Sequence, residues 1–150
     1  MTNSKAESLN QSQKILHTAF QCLSTKGYAN VSMRDIADEA GVALSQLNYY
    51  YKNKEGLFTA VIKMMMHQYL NEVESKLKSA ANTKEKTASL IRYFNELIRK
   101  NPELLKLFID FTAQSLWLPS FRRQLRNLFA DLSKMIEKSI LDGAEINKNL

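Results

Sequence analysis

The stretch from residue 32 to residue 54 constrains the fold most, because its pattern predicts two short helices joined by a tight turn. Ser32 and Asp35 have the spacing of a capping box, in which two side chains three positions apart cap the start of a helix. Gly41 predicts the end of this helix, since glycine adopts positive φ without steric cost. A second helix is predicted over Leu44–Tyr51.

The second helix of this pair has an apolar back and a polar front. Leu44, Leu47 and Tyr51 recur at the helical spacing i, i+3 and i+7. The front carries side chains that can form hydrogen bonds, namely Ser45, Gln46, Asn48, Tyr49 and Lys52. Glutamine and asparagine can pair bidentately with adenine in the major groove. One helix that braces and one that presents such groups make a helix-turn-helix, so we predict DNA binding. Three amphipathic helices that bind no DNA are the alternative.

The rest of the chain predicts helices only. Glycine and proline number 4 and 2, and no alternating strand pattern is visible. The predicted fold class is all-α, with a three-helix helix-turn-helix DNA-binding domain at 1–52 followed by an antiparallel helical regulatory domain at 53–150. Helices are predicted over residues 9–26, 54–79, 84–100, 102–116 and 121–142, with Thr83 and Ser120 as caps, residues 1–8 frayed, Gly143 as a stop and 144–150 without clear structure.

Charge gives weak support for a nucleic-acid partner. The net charge is +6, which favours an anionic partner such as DNA or a membrane surface. Residues 1–56, however, hold six basic and five acidic residues, so most of the surplus lies later in the chain. The DNA-binding prediction therefore depends on the motif.

Other function classes are disfavoured by what the sequence lacks. The single cysteine, Cys22, excludes an internal disulfide and a multi-cysteine metal site, and His17 and His67 have no metal-ligand spacing. No phosphate-binding glycine loop or nucleophile elbow is present, so we predict neither an enzyme nor a cofactor. No run is long enough to span a membrane and the N-terminus has no apolar signal core, so we expect a cytoplasmic protein without membrane contact.

Residues 13–62 resemble the TetR family of transcriptional regulators. The resemblance is carried by Lys-Gly-Tyr at 26–28, Arg-Asp-Ile-Ala at 34–37, Ala-Gly-Val at 40–42 and Tyr-Tyr-Tyr-Lys-Asn-Lys at 49–54. It implies a homodimeric repressor that binds a palindromic operator and is released by a small ligand. Family members usually run longer and end in two further helices that form the dimer interface. This chain is therefore expected to be either a short member that dimerises differently or a truncated one.

The resemblance also implies roles for particular side chains. Those implied at the sugar-phosphate backbone are Ser32, Arg34, Tyr49, Tyr50 and Lys54, and those implied at base edges are Ser45, Gln46 and Asn48.

This sequence departs from the family's usual pattern at a few positions. Ala43 replaces a usual serine, Leu44 replaces a polar or basic residue, and Asn48 replaces a tyrosine. The base sequence of the operator therefore cannot be inferred from that of a relative. Gly56 replaces an acidic helix former. This replacement bears on the stiffness of the junction between the helix-turn-helix and the helix predicted over residues 54–79.

A ligand cavity is predicted between the later helices. Met65, Phe94, Phe108, Phe111 and Trp117 could line it, and plain core packing is the alternative for each. The ligand would be small and apolar or amphipathic. Candidate polar anchors are His67, Asp110 and Gln114, while Arg122, Arg123 and Arg126 form either a solvated face or a site for an acidic ligand. Two other functions stay open: a ligand-independent DNA-binding protein controlled by a protein partner, and an interaction protein whose helices serve assembly.

Overall fold

A computed structural model describes the backbone of residues 2–148 and the side chains of residues 7–141. The described backbone is helical and contains no strand, so the all-α prediction is confirmed for this part of the chain. The helices are α1 (Thr2–Lys26), α2 (Met33–Ala40), α3 (Leu44–Tyr51), α4 (Lys54–Ser79), α5 (Thr83–Lys100), α6 (Pro102–Ser115) and α7 (Pro119–Lys148), with a short 3-10 turn at Tyr28–Asn30.

The predicted helix pair forms as its local signals indicate. The Ser32 hydroxyl accepts a hydrogen bond from the Asp35 backbone N–H at 3.1 Å, and the Asp35 carboxylate accepts one from the Ser32 N–H at 2.8 Å. Gly41 ends α2 in the left-handed conformation with φ of 67°. Ala43 begins α3 without a side-chain cap, as the replacement of a usual serine predicts.

One hydrophobic core joins the first three helices to the later ones. Phe58 of α4 lies at its centre, with its ring centroid 5.1 Å from Tyr28, 5.2 Å from Phe121 and 6.0 Å from Phe111. The phenylalanines are fully buried. We call Tyr28, Phe58, Phe111 and Phe121 the aromatic cluster. It spans the predicted boundary between residues 52 and 53, and the division at that boundary stays a prediction.

Helix α5 lies at the edge of the bundle. It has no buried residue, and Ile91 and Ile98 expose 58% and 54% of their surface. The apolar spacing of α5 predicts that Ile91 and Ile98 point inward, and this is wrong for Ile91, whereas Ile98 lines a cavity of the bundle. The reason is that α5 packs mainly on α4 and α6 and has no helix on its outer side, so its apolar stripe is wider than the contact it makes.

The predicted ends of α1 and α7 need correction. Helix α1 begins at Thr2 instead of near residue 9, and α7 continues through Gly143 to Lys148. A glycine inside a helix costs only about 1 kcal/mol relative to alanine, which is too little to end a helix when the residues on both sides are helical. The rest of the predicted tail lies outside the described residues.

Two predicted caps are also wrong, whereas Asn53 caps α4 through its side chain. Asn82 caps α5 in place of Thr83, and Ser120 lies inside α7 with its hydroxyl bonded to Glu55. No described helix combines the length and the apolar character that crossing a membrane requires.

Candidate nucleic-acid interface and cavities

The front of α3 is open to solvent while its back is held in the core. Tyr49 exposes 83% of its surface and Leu47 none. Ser45, Asn48 and Lys52 are exposed as well. The helix therefore presents the predicted polar face on a rigid support, as docking into a groove requires.

Three hydrogen bonds between side chains of α1 and α3 form a feature that we call the polar seam. The hydroxyls of Ser8 and Tyr50 lie 3.2 Å apart, and those of Ser12 and Tyr51 lie 2.9 Å apart. Between these pairs, the Gln46 side chain donates to the Gln11 side-chain oxygen at 2.8 Å. The α1 partners of the seam, Ser8, Gln11 and Ser12, were missed by the sequence analysis.

A signal for the polar seam exists in the sequence, although it is weak. Ser8, Gln11 and Ser12 are spaced i, i+3 and i+4, which places them on one face of a helix. Such a face resembles an ordinary solvated surface until its partner helix is known. Ser8 also lies in the segment that the sequence predicts to be frayed, whereas in the structure it belongs to α1.

The hydrogen bond to Gln11 leaves Gln46 able to contact a base. A glutamine amide carries two N–H donors and one oxygen acceptor, and the bond to Gln11 uses one donor. A bidentate contact with adenine needs one donor and one acceptor, which both remain. The polar seam therefore orients this side chain without consuming the groups that would read DNA.

Lys54, an implied phosphate contact, also has partners within the fold. Its ammonium donates to the Tyr28 backbone carbonyl at 2.6 Å and lies 4.2 Å from the centroid of the Tyr28 ring. Burial, together with the nearby Glu55 and Asp110, raises the pKa of the Tyr28 hydroxyl, so the ring stays neutral. A lysine has three donors, so a phosphate contact remains possible beside this structural role.

Two further implied phosphate contacts, Ser32 and Arg34, lie at the start of α2. Arg34 is exposed, whereas the Ser32 hydroxyl is engaged with Asp35, to which it donates at 2.7 Å. The side-chain and backbone hydrogen bonds from Ser32 hold the pKa of the Asp35 carboxyl below its ordinary value. Of this pair, Arg34 has the freer side chain.

The junction between α3 and α4 is close because residue 56 is glycine. A Cβ placed on Gly56 would lie 2.7 Å from the Tyr51 carbonyl oxygen, which is closer than real Cβ atoms come. The connecting residue Lys52 adopts a positive φ of 49°. The family departure at this position therefore accompanies a tight contact between α3 and α4.

A cavity of about 450 Å³ lies among α4, α5, α6 and α7, and we call it the apolar cavity. Met65, Phe94 and Phe108 line it, as predicted. Phe111 and Trp117 do not, and their prediction is wrong. Phe111 packs within the aromatic cluster, and Trp117 lies in the α6–α7 turn with 80% of its surface exposed.

The candidate polar anchors lie away from this cavity. His67 is exposed and hydrogen-bonded to Asn71, and Asp110 accepts from the Tyr28 backbone N–H at 2.6 Å. The Gln114 amide donates to Asp110. Arg122 donates to the Ser115 and Leu116 carbonyls, so it satisfies the end of α6. Arg123 and Arg126 are exposed.

Metal chemistry finds no support in the described part of the chain. No group of three or more histidine, cysteine, aspartate and glutamate side chains comes together there. Cys22 is buried, and burial raises the pKa of its thiol, so the reactive thiolate is disfavoured.

Comparison with known proteins gives consistent matches. The family model "Bacterial regulatory proteins, tetR family" matches residues 15–61. An uncharacterized HTH-type transcriptional regulator in the lacX 3' region of Lactococcus lactis is 31% identical over 149 residues, covering 94% of this chain and 74% of the relative. The fatty acid metabolism regulator protein of Bacillus subtilis is 33% identical over 78 residues, covering 52% of this chain and 40% of that protein.

A solved structure matches the fold. The crystal structure of a TetR transcription regulator from Haloarcula marismortui superposes with a TM-score of 0.82 at 20% identity, covering 92% of this chain and 72% of that one. The chain thus spans between two fifths and three quarters of these proteins.

Proposed function

This chain belongs to the TetR family of bacterial regulatory proteins, and we propose that it is a ligand-responsive homodimeric repressor of a palindromic operator. Membership makes it a DNA-binding transcriptional regulator and not an enzyme. The observation that carries the proposal is the solvent-open polar front of α3, held by a buried Leu47 on one side and the polar seam on the other.

We assign base readout to the exposed front of α3. Ser45, Gln46 and Asn48 would contact base edges in the major groove, because their side chains supply the donors and acceptors that base pairs present there. The surrounding side chains would contact sugar and phosphate and fix the register. These are Ser32, Arg34, Tyr49, Tyr50, Lys52 and Lys54, of which Tyr50 and Lys54 also hold the fold together.

Two copies are needed for a palindromic site. A helix-turn-helix dimer reads two half-sites whose centres are about 34–36 Å apart, one turn of DNA. We propose that residues 1–52 read DNA and that residues 53–150 supply the contact between copies and the ligand response.

The apolar cavity supports a ligand response. It is formed partly by α4, and α4 begins directly after the junction with the reading helix. A ligand that fits better when α4 is tilted would stabilise a different spacing of the two reading helices and lower operator affinity. The shift in operator affinity can be no larger than the ligand's difference in affinity for the two states.

The alternative is a ligand-independent DNA-binding protein controlled by a protein partner. A filled regulatory core would favour it. The volume of about 450 Å³ lies within the usual range of small-molecule pockets, which favours the ligand-responsive function.

Selection of DNA from a random pool tests the function. We expect enrichment of an inverted repeat whose half-sites lie about one helical turn apart, and a mass in solution that corresponds to two chains on each duplex. A strict monomer at micromolar concentration, with no sequence enriched, would contradict the proposal.

A further inference from the structure

A second cavity, of about 530 Å³, lies where α1 packs against α4 and α6, and we call it the polar cavity. It differs from the apolar cavity in the side chains that line it. Its hydrogen-bonding side chains include Gln21, Gln68 and Glu103, which are exposed, so this cavity is open to solvent. Tyr69 and Asn101 are the polar side chains that line the apolar cavity.

The two cavities share a wall. Met65, Tyr69, Asn101 and Leu104 line both of them. Methionine and leucine side chains can change rotamer, and methionine in particular has three rotatable bonds and fills irregular space. The apolar cavity and the polar cavity are therefore separated by side chains that they share, some of which can change rotamer.

We propose that the two cavities form one amphipathic ligand site, with an apolar chain in the apolar cavity and a polar head in the polar cavity. This rests on the ligand response proposed above and adds the class of ligand. The arrangement suits such a molecule because each part meets matching surface, and neither buries an unpartnered polar group.

The charges in the polar cavity select the head. Among the described residues that line it there is one carboxylate, Glu103, and no lysine or arginine. Proteins recognise carboxylates and phosphates mainly through arginine and lysine, and an anionic head would be repelled by Glu103. The head is therefore one that donates hydrogen bonds and carries no negative charge.

The polar cavity also gives the ligand a direct contact with the DNA-reading part. His17 and Gln21 belong to α1, the helix that holds Gln46 through Gln11. A head bound between Gln21 and Gln68 would bridge α1 and α4, and would fix the position of one relative to the other.

Binding of four dodecyl compounds below their micellar concentrations tests the proposal. The probes are monododecanoylglycerol, dodecylamine, 1-dodecanol and dodecanoate, and calorimetry gives their affinities. We expect the glycerol and amine heads to bind about tenfold more tightly than dodecanoate, a difference of about 1.4 kcal/mol. Equal affinities, or tighter binding of dodecanoate, would overturn the proposal.

Variants assign the two ends of the ligand. Gln68→Leu should weaken the binding of monododecanoylglycerol about tenfold and leave the affinity for 1-dodecanol unchanged. Glu103→Gln should reduce the difference in affinity between dodecanoate and the glycerol and amine probes. Phe108→Trp, which fills the apolar cavity, should weaken all four probes alike. Gln13→Leu, an exposed position on α1 that lines neither cavity, is the matched control. Circular dichroism establishes that each variant folds.

These experiments distinguish a failure of the head-group site from a failure of the ligand response proposed above. Binding that depends on Phe108 but is unaffected by the head group and by Gln68→Leu would overturn the head-group site and leave the apolar effector cavity intact. If none of the probes binds at all, this ligand class is wrong. Tight binding that never changes operator affinity would instead contradict the ligand response proposed above.

Discussion

Gln11 accepts a hydrogen bond from Gln46 at 2.8 Å, so a residue of the first helix orients a residue of the reading helix. Gln11 lies 35 positions earlier in the chain and belongs to none of the segments that carry the family resemblance. If Gln46 contacts a base as proposed, we expect base preference to depend on a contact outside the helix-turn-helix.

Replacement of Gln11 tests this dependence. Gln11→Ala should relax the preference at the base pair that Gln46 contacts by about 1 kcal/mol, the usual net value of one hydrogen bond. Gln11→Glu keeps an acceptor and should retain the preference. Fluorescence anisotropy with operators changed at single base pairs measures both, and Gln13→Ala is the control. Uniform weakening on all sequences would show that Gln11 only supports the fold.

Lys54 should show two separable effects. Lys54→Met keeps the aliphatic stem and removes the charge, so it should lower the free energy of unfolding by about 0.5–2 kcal/mol through loss of the cation–π contact. If Lys54 also meets a phosphate, the slope of log affinity against log salt should fall by about 0.9. Tyr28→Leu removes the ring and should change stability alone. An unchanged slope in Lys54→Met would limit Lys54 to its structural role.

Gly56→Ala should destabilise the protein although alanine favours helices. Alanine is better than glycine in a helix by about 1 kcal/mol, but its Cβ would meet the Tyr51 carbonyl oxygen, which is backbone and cannot turn away. We expect a net decrease in the free energy of unfolding, measured with urea, and a shift of α3 that weakens operator binding. Thr59→Ala in the next turn is the control for propensity alone. A more stable Gly56→Ala protein would show that the junction relaxes freely.

Gln124 offers a stabilising change. This residue is 93% buried, since its exposed fraction is 7%, and its amide donates to the Thr59 carbonyl at 2.9 Å while its side-chain oxygen has no partner. An unsatisfied buried acceptor costs about 1–3 kcal/mol. Gln124→Met has a similar shape, so we expect a gain of about 1 kcal/mol in thermal or urea unfolding. A loss of stability would show that the hydrogen bond to Thr59 outweighs the cost of the unsatisfied oxygen.

Asp35 should make α2 sensitive to acid. Hydrogen bonds from Ser32 lower the pKa of this carboxyl in the folded protein. Its contribution to the free energy of unfolding is therefore complete above the ordinary carboxyl pKa of about 4, and it is lost as the pH falls through the lower pKa of the folded state. NMR titration should give a pKa below the ordinary one, and Ser32→Ala should raise it. An ordinary pKa in both proteins would contradict the capping box in solution.

Local signals predicted the helix-turn-helix well, because its determinants lie three or four positions apart. Ser32 with Asp35, and Gly41 as a stop, need no knowledge of the remaining chain. The lining of the cavity could not be predicted in the same way. Phe108 and Phe111 are both apolar and lie on the same helix, and only the position of α7 decides which meets the cavity and which meets Phe121.

The polar seam could not be predicted from the sequence for a related reason. Its α1 partners are polar, and a polar helix face acquires a partner only when the distant helix α3 packs against it. The opposite error occurred at Ile91, where an apolar residue at the correct helical spacing has no helix to cover it.

The aromatic cluster has a mechanical consequence. Phe58 is four residues from the start of α4, about 6 Å, and fifteen residues from Val73, about 22 Å. If α4 pivots at this buried ring, it acts as a lever with a short arm toward DNA and a long arm toward the ligand. A displacement near Val73 then arrives at the reading helix reduced to about one quarter, so small breathing motions of the cavity leave the operator complex undisturbed.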